Sequence, residues 1–105
     1  MDISKLAIFL DAVQIGSMKK AAEKYNYTQT GMLYLVNSVE QELGIHVTSR
    51  GHRGIRWNQD GKELEPYFKR LVELDRDMTD KITMLSESKS RNLTIGAYPS
   101  IASII

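Results

Sequence analysis

A chain of 105 residues can hold one small domain with a modest core, or a smaller domain carrying one extended element. With 42 % hydrophobic and 26 % charged residues it is not an intrinsically disordered chain, and without cysteine it has neither a disulfide framework nor a thiolate metal site. The N-terminus shows no basic stretch leading into an apolar one, and no apolar run approaches the roughly 20 residues that span a bilayer, so the sequence reads as a cytoplasmic protein with no membrane partner.

Over residues 3–14, Leu6, Phe9, Leu10 and Val13 fall at three- and four-residue spacings and predict an amphipathic helix that Gly16 ends. Ser17 is a good N-cap for a short second helix with Met18, Ala21, Ala22 and Tyr25 inward, where the small alanines permit a close helix crossing. Asn26 suits the left-handed residue closing that helix, and Thr28 can cap the next. The third helix is expected from Gln29 to Leu43, with Met32, Val36, Val39 and Leu43 inward and Gly44 as its stop. Two helices joined through Asn26-Tyr27-Thr28, the second longer and polar at its start, form a helix-turn-helix pattern.

From residue 45 the period changes. Ile45 and Val47, then Ile55 and Trp57, alternate with polar residues around Gly51-His52-Arg53-Gly54, which predicts a β-hairpin, and beside a helix-turn-helix such a hairpin is a wing. Charge concentrates there: Arg50, Arg53 and Arg56 lie within seven residues holding no acid, on a chain whose net charge is only +1. Such a patch fits phosphate, and equally an ordinary solvated loop. Asn58 then caps a long helix to about Ser88, bent or loosened by Pro66, whose seam is Leu64, Phe68, Leu71, Asp75, Met78, Ile82 and Leu85. A helix of about 30 residues, roughly 45 Å long, needs a partner to cover that stripe. The fold class expected is mostly α: a three-helix winged helix-turn-helix over 1–58, a dimerisation helix over 59–90, and 91–105 as the start of a second domain. The tail from Asn92 to Ser100 reads as a strand followed by a loop, and a lone strand implies a fragment.

Ser17-Met18-Lys19-Lys20-Ala21-Ala22, Thr28-Gln29, Val39-Glu40-Gln41-Glu42-Leu43-Gly44, Arg50, Arg53-Gly54, Asn58, Gly61 and Leu64 together resemble the head of LysR-type transcriptional regulators. The resemblance runs the length of the chain. It implies a homodimer through the linker helices, often assembling into a tetramer, bound to double-stranded DNA at an interrupted palindrome. It also implies no cofactor in this stretch and a small-molecule co-inducer held by a further domain. Thr30, Gly31, Leu33 and Tyr34 depart from the family's usual reading face, and Thr48 stands where a buried Phe is common.

On that reading the third helix enters the major groove and the wing the minor groove. Gln29 is the candidate for direct adenine readout, Thr30 and Leu33 for thymine methyl contact, and Tyr34 for a phosphate or sugar. Leu33 and Leu35 have a competing reading as packing residues, and Asn37 as a solvated one. Thr28 with its neighbouring N–H groups can position a phosphate. Arg53 is expected in the minor groove and Arg50 and Arg56 on phosphates, with Lys19 or Lys20 either assisting or simply solvated. Leu64, Phe68, Leu71, Met78, Ile82 and Leu85 are the expected dimer residues. No enzyme is expected: His46 and His52 have no third ligand at a suitable spacing, and the one glycine cluster lacks a phosphate-loop pattern. Two rivals stand beside this reading, a helical protein-interaction module with a coiled coil and no DNA binding, and a winged-helix repressor without an effector domain.

Overall fold

In a computed structural model of the chain, residues 2–51 and 54–92 are described. The elements in order are α1 (Ile3–Ile15), α2 (Met18–Tyr25), α3 (Gln29–Leu43), β1 (Thr48–Gly51), β2 (Gly54–Trp57) and α4 (Gln59–Asn92). The protein is therefore mostly helical, three helices and a two-stranded wing followed by a long helix. Asn92, where the expected tail strand begins, is the last residue of α4, and the rest of that tail lies outside the described residues.

Helix ends are chemically explicit. Ser17, Thr28 and Asn58 accept from the backbone N–H groups of Lys20, Gly31 and Gly61 at 3.1, 2.9 and 2.8 Å. Asp2 does the same for Ser4 at the head of α1. At the other ends Gly16, Asn26 and Gly44 adopt the left-handed conformation. α4 continues unbroken through Pro66, which is exposed, so the carbonyl of Lys62 that loses its helical donor is on a solvated stretch.

The chain divides into two compact units, Met1–Glu73 and Leu74–Ile105. The core of the first joins Leu6, Phe9 and Val13 of α1 to Leu35, Val36 and Val39 of α3, with Val47, Ile55 and Phe68 closing it. A second cluster packs Ala12 against Ala21, Ala22 and Met32, where the small side chains let α1, α2 and α3 meet closely. The phenolic O–H of Tyr25 donates to Asp11 at 2.5 Å and the ammonium of Lys24 to the same oxygen at 2.6 Å, tying α2 to α1.

Two expectations are corrected. Phe68 is 4 % exposed and packs edge-on to Phe9, with Trp57 5.8 Å away, while Leu64 packs at the margin of the same core. Both pack on the head, because the first turns of α4 cover the open side of the α1–wing core, and the buried Phe68 is not available to a partner helix. Among the seam positions, Leu71 in the first unit and Met78, Ile82 and Leu85 in the second are about half exposed. The first strand also starts later than its apolar alternation suggests, at Thr48, with Ile45 exposed. The N–H groups of Val47 and Thr48 are taken by a carboxylate from α3, so the segment before Thr48 follows that side chain and not a ladder.

The wing is antiparallel, pairing Thr48 with Trp57 and Gly51 with Gly54. Two close backbone approaches hold the wing, one at its turn end and one at its base. Gly54 has φ of +107°, and a Cβ there would lie 1.9 Å from the carbonyl oxygen of Gly16, which also accepts from Ile55 at 3.2 Å. A Cβ on Gly61 would lie 2.0 Å from the carbonyl oxygen of Val47. Gly61→Ala must push the start of α4 off the wing, and is expected to cost about 1–3 kcal/mol in urea denaturation. An unchanged midpoint would show that this contact is not a constraint.

Candidate nucleic-acid interface

α3 carries two faces because its apolar positions recur at helical spacing. Met32, Leu35, Val36 and Val39 are buried, which settles Leu35 as a packing residue. The opposite arc, Gln29, Thr30, Leu33, Tyr34 and Asn37, is exposed throughout, with Leu33 at 41 % and Tyr34 at 74 %. Thr28 is exposed at the N-terminus of this arc, where the first helical N–H groups have no intrahelical acceptor and the helix dipole is positive. An added Cβ on Gly31 would sit 3.1 Å from the Thr28 hydroxyl oxygen, so this glycine leaves the cap room to bond.

What orients that arc is the anchoring of both ends of the helix-turn-helix. At the α2 end, Asp11 is held below the usual carboxylate range by its hydrogen bond from Lys24 and then that from Tyr25. Burial, followed by the bond to Asp11, pushes the Tyr25 phenol up to about 12, so both groups keep these roles across the neutral range. Lys5 of α1 donates to the Ser38 hydroxyl at 2.6 Å, locking the middle of α3 to the first helix.

At the C-terminal end of α3, the buried Glu40 carboxylate is the junction. One oxygen accepts from the N–H of Val47 at 2.8 Å, the N–H of Thr48 at 2.9 Å and the Thr48 hydroxyl at 2.8 Å. The other faces His46 Nδ1 at 3.3 Å and Arg50 Nη2 at 3.7 Å. Burial alone would raise its pKa, and the hydrogen bonds from Val47, Thr48 and His46 more than reverse this, leaving the carboxyl below its ordinary range. Sequence reasoning assigned Glu40 no role. The available signal was its place four residues after Val36, an acid on the apolar face of a helix. Thr48, noted only as a departure from a common Phe, is the carboxylate's hydroxyl donor.

The structure brings two of the expected contact residues together. Arg50 Nη1 donates to Asn37 Oδ1 at 2.9 Å, so β1 is bonded to the exposed arc of α3. Arg56 is exposed on β2, as are Lys19 and Lys20 at the start of α2. Arg53 lies outside the described residues. Among the described residues, no helix is long and apolar enough to cross a membrane.

Three helices with a two-stranded wing after the third, and an exposed polar start to that third helix, define a winged helix-turn-helix protein. The family model for bacterial regulatory helix-turn-helix proteins of the lysR family matches residues 3–62, and the chain belongs to that family. It is 30 % identical to the transcriptional regulator SoxR of Arthrobacter sp. (strain TE1826) over 96 % of its own length and 35 % of SoxR. It is likewise 30 % identical to YofA of Bacillus subtilis (strain 168), over 97 % of its length and 35 % of YofA. The chain thus spans about a third of the curated relatives it matches. Among solved structures, a BenM DNA-binding domain in complex with catB site 1 DNA superposes with a TM-score of 0.74 at 25 % identity, covering 84 % of this chain and 95 % of that one. DarR of Vibrio fischeri, also solved with DNA, gives 0.76 at 23 % identity over 83 % of this chain and 30 % of DarR.

Because the folded-state pKa of Glu40 is depressed, its contribution to stability is complete above the ordinary carboxyl value of 4.5 and is lost as the pH falls through the lowered native value. Glu40→Ala is expected to cost about 3 kcal/mol at pH 7 by orphaning buried donors. Thermal melts from pH 7 down to 3 should show the gap between Glu40→Gln and the parent closing at the acid end; a constant gap would contradict the role of the charge.

Proposed function

We propose that the chain is a sequence-specific DNA-binding transcriptional regulator of LysR type, with α3 in the major groove and the wing toward the minor groove. The observation that carries this reading is the unbroken exposed arc Gln29, Thr30, Leu33, Tyr34 and Asn37 on the first turns of a helix held at its middle and at its C-terminal end. DNA-bound relatives of the same fold, BenM among them, support it.

The residues then divide by chemistry. Gln29 can offer an amide donor and acceptor to one adenine. Thr28 and the N–H groups after it suit a phosphate, and Arg56 with Lys19 or Lys20 supplies backbone cations. Arg53 would take the minor groove, where narrowing deepens the negative potential. Arg50, drawn onto Asn37 and Glu40, sets the wing against α3 and is not counted among the phosphate contacts. A homodimer forms along α4 through Leu71, Met78, Ile82 and Leu85, giving two heads for an interrupted palindrome, with tetramers and co-inducer binding belonging to a longer chain.

Fluorescence anisotropy against mixed genomic fragments tests the reading. Binding whose log affinity falls linearly with log salt is expected; no salt-sensitive binding would favour the protein-interaction module. Gln29→Ala should cost about 1–3 kcal/mol on a specific site and little on random duplex. Equal losses on both would remove Gln29 from base readout. Ile82→Glu should bring the sedimentation mass down toward that of one chain, and a mass that does not change would place the dimer contact elsewhere.

A further inference from the structure

The exposed arc of α3 is marked by what it omits. From Gln29 to Val39 there is no Arg, Lys, Asp or Glu. The major-groove edge of guanine is read best by Arg or Lys, and the amino group of cytosine by Glu or Asp, so these turns carry none of the side chains best suited to either. The next acid, Glu40, is buried and engaged with the wing. The cation that reaches this arc, Arg50, has its guanidinium bonded to Asn37.

What the arc does offer is apolar. Leu33 is 41 % exposed although Met32, Leu35, Val36 and Val39 on the same helix are at most 4 % exposed, and it belongs to neither core cluster of the described residues. It lies one turn beyond Gln29 and beside Thr30, whose methyl extends the same surface. In the floor of the major groove the apolar feature is the thymine 5-methyl group.

We propose that Leu33 is a specificity-determining residue that reads thymine methyl groups, so that α3 selects its half-site by A·T pairs and not by guanine or cytosine contacts. This rests on the DNA-binding reading above. Gln29, suited to adenine, and Leu33, suited to thymine, then address the two partners of one pair type, and affinity independent of sequence comes from cations off this helix.

In vitro selection from randomised duplexes with the 105-residue chain is expected to return half-sites whose invariant positions are A·T. Replacing each selected thymine in turn by deoxyuridine, which removes only the methyl, should weaken binding about fourfold at one or two positions. At those positions a pair of 5-methyldeoxycytidine with deoxyguanosine should bind more tightly than its unmethylated counterpart. Leu33→Ala, shown to be folded by circular dichroism, should erase both differences while keeping salt-sensitive binding to random duplex. Uracil duplexes bound as tightly as thymine duplexes, or selected half-sites fixed by G·C pairs, would overturn the methyl readout and leave DNA binding standing. An absence of salt-sensitive binding to every duplex would overturn both.

Discussion

A carboxylate has no reason to be inside an apolar core unless donors compensate its lost hydration, and Glu40 meets that condition through backbone groups that no helix or ladder uses. The consequence is geometric. The last turns of α3, the segment leading into β1 and the Thr48 hydroxyl are fixed to one another by a single side chain. Asn58 extends the same junction by donating from its amide to the His46 carbonyl at 2.9 Å, and its own N–H donates to the Val47 carbonyl at 3.0 Å. The start of α4 is therefore set by the strand that Glu40 sets, and Gly61 lets the two backbones come close enough for this to happen.

A reading helix is useful only if its exposed side chains hold a constant position relative to the wing, since the two must address one duplex together. Here the rigidity comes from polar contacts at the periphery, the Asp11 clamp at one end and the Glu40 junction at the other, around a small apolar core. Such a small core gives limited hydrophobic stabilisation, and directional bonds add the orientation that apolar packing alone leaves loose. The arc itself is left exposed, with Arg50 and Asn37 fastening its far side to β1.

α4 serves two environments. Up to Val72 its inward residues complete the head, Phe68 through the Phe9 and Trp57 rings and Val72 at the margin of the same core. Leu71, and the apolar residues of α4 from Leu74 through Leu85, are exposed. One heptad pattern thus passes from buried to exposed positions, and nothing in the pattern marks the change.

Much was legible from the residues alone. Helical spacing, capping side chains and terminal glycines placed all four helices, since each of those signals is local and acts within a turn or two. The exposed arc from Gln29 to Asn37 follows from the same periodicity, because a helix that buries Met32, Val36 and Val39 has no other side to present. The tertiary structure alone decided three things. It assigned Phe68 to the head, because that depends on which element covers the open side of the α1 core. It delayed β1 to Thr48, because the competing acceptor, Glu40, is seven and eight residues away along the chain and adjacent only after folding. It turned Arg50 toward Asn37, thirteen residues off, so that a cation in a basic run became a brace for the helix. Local chemistry determined the elements, and contacts between residues distant in sequence determined which charged and aromatic groups were left exposed.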